Sequence, residues 1–163
     1  MKAKFLAAFA AVAAIAFAGF SASAQYNSTP GIVMAGSQNA DKLPSKAKKF
    51  IKKHFDGVGV AGCEEAFAQG KYAVELLNGV EIEFDSKGEV LEVDAPDNTY
   101  LAASVAKDLL HDSAFNHLEK AGLIGKVESI EFKKGRAVEV EVDVPGPDTY
   151  VFDINGLFIT VQD

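Results

Sequence analysis

Two periodicities organise the chain from Leu43 onward. Behind Leu43-Pro44-Ser45, the apolar residues Ala47, Phe50, Ile51 and Phe55 fall at helical spacing. Lys46, Lys48, Lys49, Lys52 and Lys53 cover the rest of that surface. The spacing predicts a helix, with Pro in a first turn that needs no N–H from it. His54, among the lysines, is expected on the exposed side. Asp56-Gly57 ends the helix, and alternation takes over. A short strand is expected from Val60 to Phe67. Tyr72, Val74 and Leu76 then alternate with Ala73, Glu75 and Leu77, and Asn78-Gly79 signals a hairpin. Val80, Ile82 and Phe84 alternate with Glu81, Glu83 and Asp85. After Ser86-Lys87-Gly88, a fourth strand runs from Val90 to Val93.

The second half follows the same order. Leu101 to Gly122 reads as helical, with a break expected near Asp112-Ser113. Strands follow at Val127 to Phe132, Val138 to Asp143, Tyr150 to Asp153 and Leu157 to Val161. Gly70-Lys71 aligns with Gly135-Arg136, Ala73-Val74-Glu75 with Ala137-Val138-Glu139, and Phe84 to Gly88 with Phe152 to Gly156. The offset grows from 64 to 68 residues across the longer Pro145-Gly146-Pro147-Asp148 loop. The pattern therefore predicts an α+β fold made of a tandem repeat, 43–97 and 98–163. Each unit is a helix plus an antiparallel four-stranded meander.

The N-terminus has a different character. Lys2 and Lys4 precede an unbroken apolar run from Phe5 to Phe20, and Ala22-Ser23-Ala24 supplies small residues at a cleavage position. Residues 1–24 are expected to be a signal peptide cut near Ala24, because the run is short and Ala-rich for a membrane span. Residues 25–42, rich in Ser, Gly, Asn and Gln, read as a linker. The expected location is the periplasm or the medium outside the cell, with no membrane span left after cleavage.

Charge and cysteine usage narrow the function. The 163 residues carry 16 Lys+Arg against 23 Asp+Glu, a net charge of -7. That balance argues against nucleic acid, which needs a basic face. A single Cys, Cys63, forbids an internal disulfide. Cys63 lies beside Glu64 and Glu65, which disfavour a thiolate, so a buried inert thiol is expected. His54, His111 and His117 have no spacing that assembles a zinc set. Glu81/Glu83 and Glu139/Glu141 are carboxylate pairs, yet alternation explains them as the polar face of half-buried strands. No catalytic residue, metal site or cofactor is expected.

The Leu-Pro entry into a Lys/Ala/Phe helix, followed by Tyr72-x-Val-Glu-Leu-x-Asn-Gly-x-Glu-x-Glu-Phe-Asp-x-x-Gly88, resembles the PepSY-like family of small exported bacterial proteins. That family is also described as β-lactamase-inhibitor-like. The match spans about Leu43 to Asp163 and is best over Lys71 to Val93. The resemblance implies helices packed on one face of the sheet, the other face open, and a non-catalytic binding or inhibitory role. The chain departs from β-lactamase inhibitor proteins in having no disulfide and no placeable inhibitory loop.

Strand parity then assigns the faces. Tyr72, Val74, Leu76, Ile82, Phe84, Leu91 and Val93 should face the helices. So should Val138, Val140, Val142, Tyr150, Phe152, Ile159 and Val161. The opposite face should carry Glu75, Asp85, Glu92, Asp143, Asp153 and Leu77, together with the candidate partner-binding residues Glu81, Glu83, Val90, Glu139, Glu141, Val151 and Phe158. An acidic face with a few apolar side chains suits a basic, partly apolar protein or peptide of the cell envelope. The alternatives are a structural or envelope-stress protein without a tight ligand, and a metal-dependent binder.

Overall fold

The computed structural model describes residues 40–66 and 70–163. The expected signal peptide, its cleavage site, most of the expected linker and Phe67 lie outside the described residues. The last three linker residues, Ala40–Lys42, form a 3-10 turn in which Ala40 is fully buried.

Eight strands form one antiparallel sheet in sequence order: β1 Val60–Ala66, β2 Lys71–Leu76, β3 Glu81–Asp85, β4 Val90–Asp94, β5 Val127–Lys133, β6 Ala137–Val142, β7 Thr149–Phe152 and β8 Phe158–Gln162. The two halves join through β4 and β5 by the pairs Glu92–Glu131, Val93–Ile130 and Asp94–Ser129. Three helices complete the fold: α1 Ser45–His54, α2 Ala103–Leu109 and α3 Asp112–Lys120. The break expected near Asp112-Ser113 is real. Leu110 leaves the helical conformation, and the His111 ring accepts the Ser113 N–H at 3.2 Å to cap α3.

The core lies between the helices and one sheet face. Ala47, Phe50 and Ile51 of α1, Val105 and Ala106 of α2, and Ala114, Phe115 and Leu118 of α3 are buried there. They meet Val74, Leu76, Ile82, Phe84, Val93, Ile130, Val140, Val142 and Phe152. In β2, β3 and β6 alternation buries alternate residues, which is why their acids gather on the other side. Two turns seat the helices. Gly88 (φ +83°) and Gly156 (φ +77°) are positions where a Cβ would lie 2.7 Å from Ala47 N at α1 and from His111 Cβ at α3, respectively. Asp85 Oδ1 accepts the N–H groups of Lys87 and Glu89 at 2.8 and 2.9 Å. Asp153 Oδ1 accepts those of Asn155 and Leu157, both at 2.8 Å.

Four expectations need correction. Bulges interrupt alternation in β4 and β8. Phe84 pairs with Val90 and Phe152 with Phe158, so Leu91 and Ile159 are the extra residues. Val90 and Phe158 therefore turn to the helix face, and Leu91 and Ile159 do not follow the helix-facing assignment. Leu77 sits in a three-residue turn with Asn78 and Gly79, closed by Leu76 N–H to Val80 O at 2.9 Å. His54 is not an exposed neighbour of the lysines. Its side chain is 3% exposed, its ring lies 4.8 Å from that of Phe50, and Nε2 is 2.7 Å from Asp108 Oδ2 on α2. Finally, Tyr72 lies opposite Phe84 and Val138 opposite Phe152. In these pairings Tyr72 and Val138 hold like places 66 residues apart, two residues from the offset read in the sequence, which leaves the faces unchanged.

Candidate functional site

The face away from the helices carries two rows of side chains running across the sheet. One row passes through Glu64, Ala73, Glu83, Glu92, Glu131, Glu139, Val151 and Thr160. The other passes through Gly62, Glu75, Glu81, Asp94, Ser129, Glu141, Thr149 and Gln162. Within them Glu75–Glu81, Glu81–Asp94, Glu83–Glu92, Glu92–Glu131 and Glu131–Glu139 are directly opposed acids. Like charges so placed cost stability, and each pair would cost a few tenths of a kcal/mol up to about 1 kcal/mol.

Two lysines relieve part of this. Lys71 Nζ donates to Glu83 Oε2 at 2.7 Å. Lys133 Nζ pairs with Glu131 and lies 3.4 Å from Glu139 Oε2. Both serve the first row. In the centre the carboxyls respond by holding their protons. Burial, then Glu131 and Glu83, push Glu92 up to about 7, against the pull of Lys133 and Lys71. Burial, then Glu92, Glu81, Glu141 and Glu131, push Asp94 up to about 8. Burial and Glu75 also raise Glu81. Asp94 Oδ1 is buried with no hydrogen-bond partner among the described residues. A depression of about 370 Å³ lies on this face, lined by Glu92, Ser129 (opposite Asp94), Glu131, Glu139, Glu141 and Thr149 among others. At neutral pH the middle of the face thus holds carboxyls near their titration point. An arriving cation would ionise them, gaining charge attraction and releasing protons.

Of the sequence-derived candidates, Glu81, Glu83, Glu139 and Glu141 come together on this face. Val151 lies on it too, but only 8% exposed, between Glu139 and Thr160. Val90 and Phe158 do not join them: Val90 packs on the core, and Phe158 stacks on His117 of α3 at 4.6 Å. Sequence reasoning left out Asp94 and Glu131. Both follow from parity alone, since Asp94 is two residues beyond Glu92 and Glu131 alternates with the apolar Ile130 and Phe132. Asp85 and Asp153, expected on the acidic face, are engaged as turn acceptors, and Asp143 Oδ2 accepts the Tyr100 hydroxyl at 2.6 Å.

Other chemistry-bearing groups have structural surroundings. Cys63 is buried opposite Val74, and burial, then Glu65 and Glu64, push its thiol up to about 11. His54, His111 and His117 sit apart on α1, before α3 and on α3. Among the described residues no three His, Cys, Asp or Glu side chains group to hold a metal ion, and no helix is long and apolar enough to cross a membrane.

Comparison with known proteins gives the following likenesses. The profile of the family described as "Putative beta-lactamase-inhibitor-like, PepSY-like" matches residues 38–92 and 70–160. A Bacteroides vulgatus "putative periplasmic protein of unknown function" is 29% identical, with a TM-score of 0.61 over 77% of this chain and 96% of that one. A Bacteroides thetaiotaomicron "putative calcium-regulated periplasmic protein" is 27% identical, with a TM-score of 0.61 over 76% and 92%. No curated protein matches the chain.

Proposed function

The chain belongs to the PepSY-like family, and from that premise we propose that it is an exported, non-catalytic binding protein of the periplasm. Its open sheet face recognises a basic protein or peptide, in the manner of an inhibitor that covers its target. The observation that carries this reading is the pair of acid rows, five opposed carboxyl pairs across one open, half-buried face. A partner's positive charge would offset that repulsion, as complementary potentials do across an interface. The periplasmic location draws on the Bacteroides relatives.

The reading includes a duplicated origin, with 43–97 and 98–163 as units of one domain. It is supported by bulges at matching places, between Val60 and Gly62 and between Val127 and Ser129, and around Leu91 and Ile159. The Gly88 and Gly156 turns, each lodged against a helix start, support it too.

Calorimetric titration with a Lys-rich amphipathic peptide and its Glu-for-Lys counterpart tests the function. The basic peptide should bind, weakening as salt rises, and proton release should accompany binding near pH 7. Reversing Glu81, Glu83, Glu139 and Glu141 to Lys should abolish it. Equal binding of both peptides, or binding that survives the reversal, would sink the proposal. A calcium-dependent reading draws on the B. thetaiotaomicron relative. It predicts a melting temperature that rises with added calcium, through linkage. The side-chain positions favour the peptide reading, since no chelating group of three is present among the described residues.

A further inference from the structure

The sheet ends at β8, whose outer edge pairs with nothing among the described residues. β8 holds the place in the second half that β4 holds in the first, because Val90 and Phe158 both lie opposite the corresponding Phe. Four position-by-position differences point the same way, while Ala95 against Asp163 runs the other way. Where the first half has Ser86, Glu89, Glu92 and Asp94, the second has Ile154, Leu157, Thr160 and Gln162. Glu92 and Asp94 of β4, and Glu89 just before it, are matched at the edge by uncharged residues. Among the described residues, four of the six exposed large apolar side chains gather here: Ile154, Leu157, Phe158 and Ile159. The opposite edge, β1, carries Glu64 and Glu65. Proteins normally guard an edge with charge or Pro, as β1 does; an uncharged, apolar edge invites another strand.

In a chain of net charge -7, two copies repel wherever their acids meet, so the uncharged edge is where they can approach. We propose that the protein forms a two-fold dimer by antiparallel pairing of β8 with β8 of a second copy, extending the sheet to sixteen strands. The register follows from β4. Ala95 N–H bonds Glu128 O across the β4–β5 junction at 2.8 Å, so Val93 is the next β4 residue to bond outward. Val161 is its counterpart in β8. A two-fold axis at Val161 pairs Val161 with Val161 and Thr160 with Gln162 of the partner copy, and opposes no like charges. The interface is isologous and closed. It takes only the uncharged row ends, Thr160 and Gln162, and leaves the acids of the open face free.

Sedimentation equilibrium tests the proposal, with far-UV circular dichroism to verify folding. The protein should be a monomer–dimer system. Thr160 and Gln162 are exposed, so the pair Thr160→Lys and Gln162→Lys should leave the fold intact. It should weaken dimerisation at least tenfold by opposing lysines. The charge swap Thr160→Lys with Gln162→Glu places each Lys opposite a Glu and should restore the dimer. A monomer at every concentration, open-ended oligomers, a dimer indifferent to the double lysine, or a charge swap that fails to rescue would each overturn the proposal.

Discussion

Replacing Asp94 by Asn tests the electrostatic account of the open face at its centre. Asp94 is pushed from an ordinary 3.8 to about 8, chiefly by burial and then by four neighbouring carboxylates. In the unfolded chain its proton is gone by about pH 5; in the folded protein it stays until about pH 8. Across that window the native state binds the extra proton, so the contribution of this group to stability falls as pH rises. Each tenfold change in proton affinity is worth about 1.4 kcal/mol, so a window about three pH units wide corresponds to at most about 4 kcal/mol. Water reaching a half-buried side chain lowers this to about 2 kcal/mol. Asn keeps the shape and removes the titration. The stability difference, variant minus parent, should therefore widen by about 2 kcal/mol between about pH 5 and about pH 8. Urea unfolding read by far-UV circular dichroism measures it, since the chain has no Trp. Parallel pH profiles for the two proteins, or a variant that loses ground at high pH, would refute the reasoning.

Two further outcomes are expected. Gly88→Ala should destabilise by about 2–4 kcal/mol, because it combines a left-handed backbone with a Cβ pressed on α1. Gly135→Ala, at φ +62° with nothing within 4 Å, should cost only about 1 kcal/mol in the same unfolding assay. Phe158→Ala should lower stability by about 1–2 kcal/mol through its lost stack on His117 and its contact with Phe152. It should leave peptide affinity unchanged, where a residue of the binding face would lower it.

The parts of the fold that depend on period were readable, and those that depend on a break in period were not. Alternation located β2, β3 and β6, because one face must be apolar and the other polar, and turn residues marked off the remaining strands. The bulges were hidden because Val90-Leu91 and Phe158-Ile159 are adjacent apolar residues. Either member could face the core, so only the strand pairing decides. His54 misled through its lysine neighbours, although it stands four residues after Phe50 and so on the apolar stripe. The four glutamates of the candidate site were legible from parity. The depth at its centre was not, since the burial of Asp94 and Glu92 arises from the junction of β4 with β5, a pairing between halves.

The sheet's strand order is also the order of synthesis. Every strand lies beside its predecessor in the chain, so a polypeptide delivered N-terminus first never waits for a distant segment. Each new strand finds its template already in place, and the loops to be closed stay short except at the α2–α3 insertion between β4 and β5. Such an arrangement suits folding from a threaded, extended state. It also means that every strand in turn serves as the growing edge, and that β8, added after the other seven, inherits that role in the finished sheet.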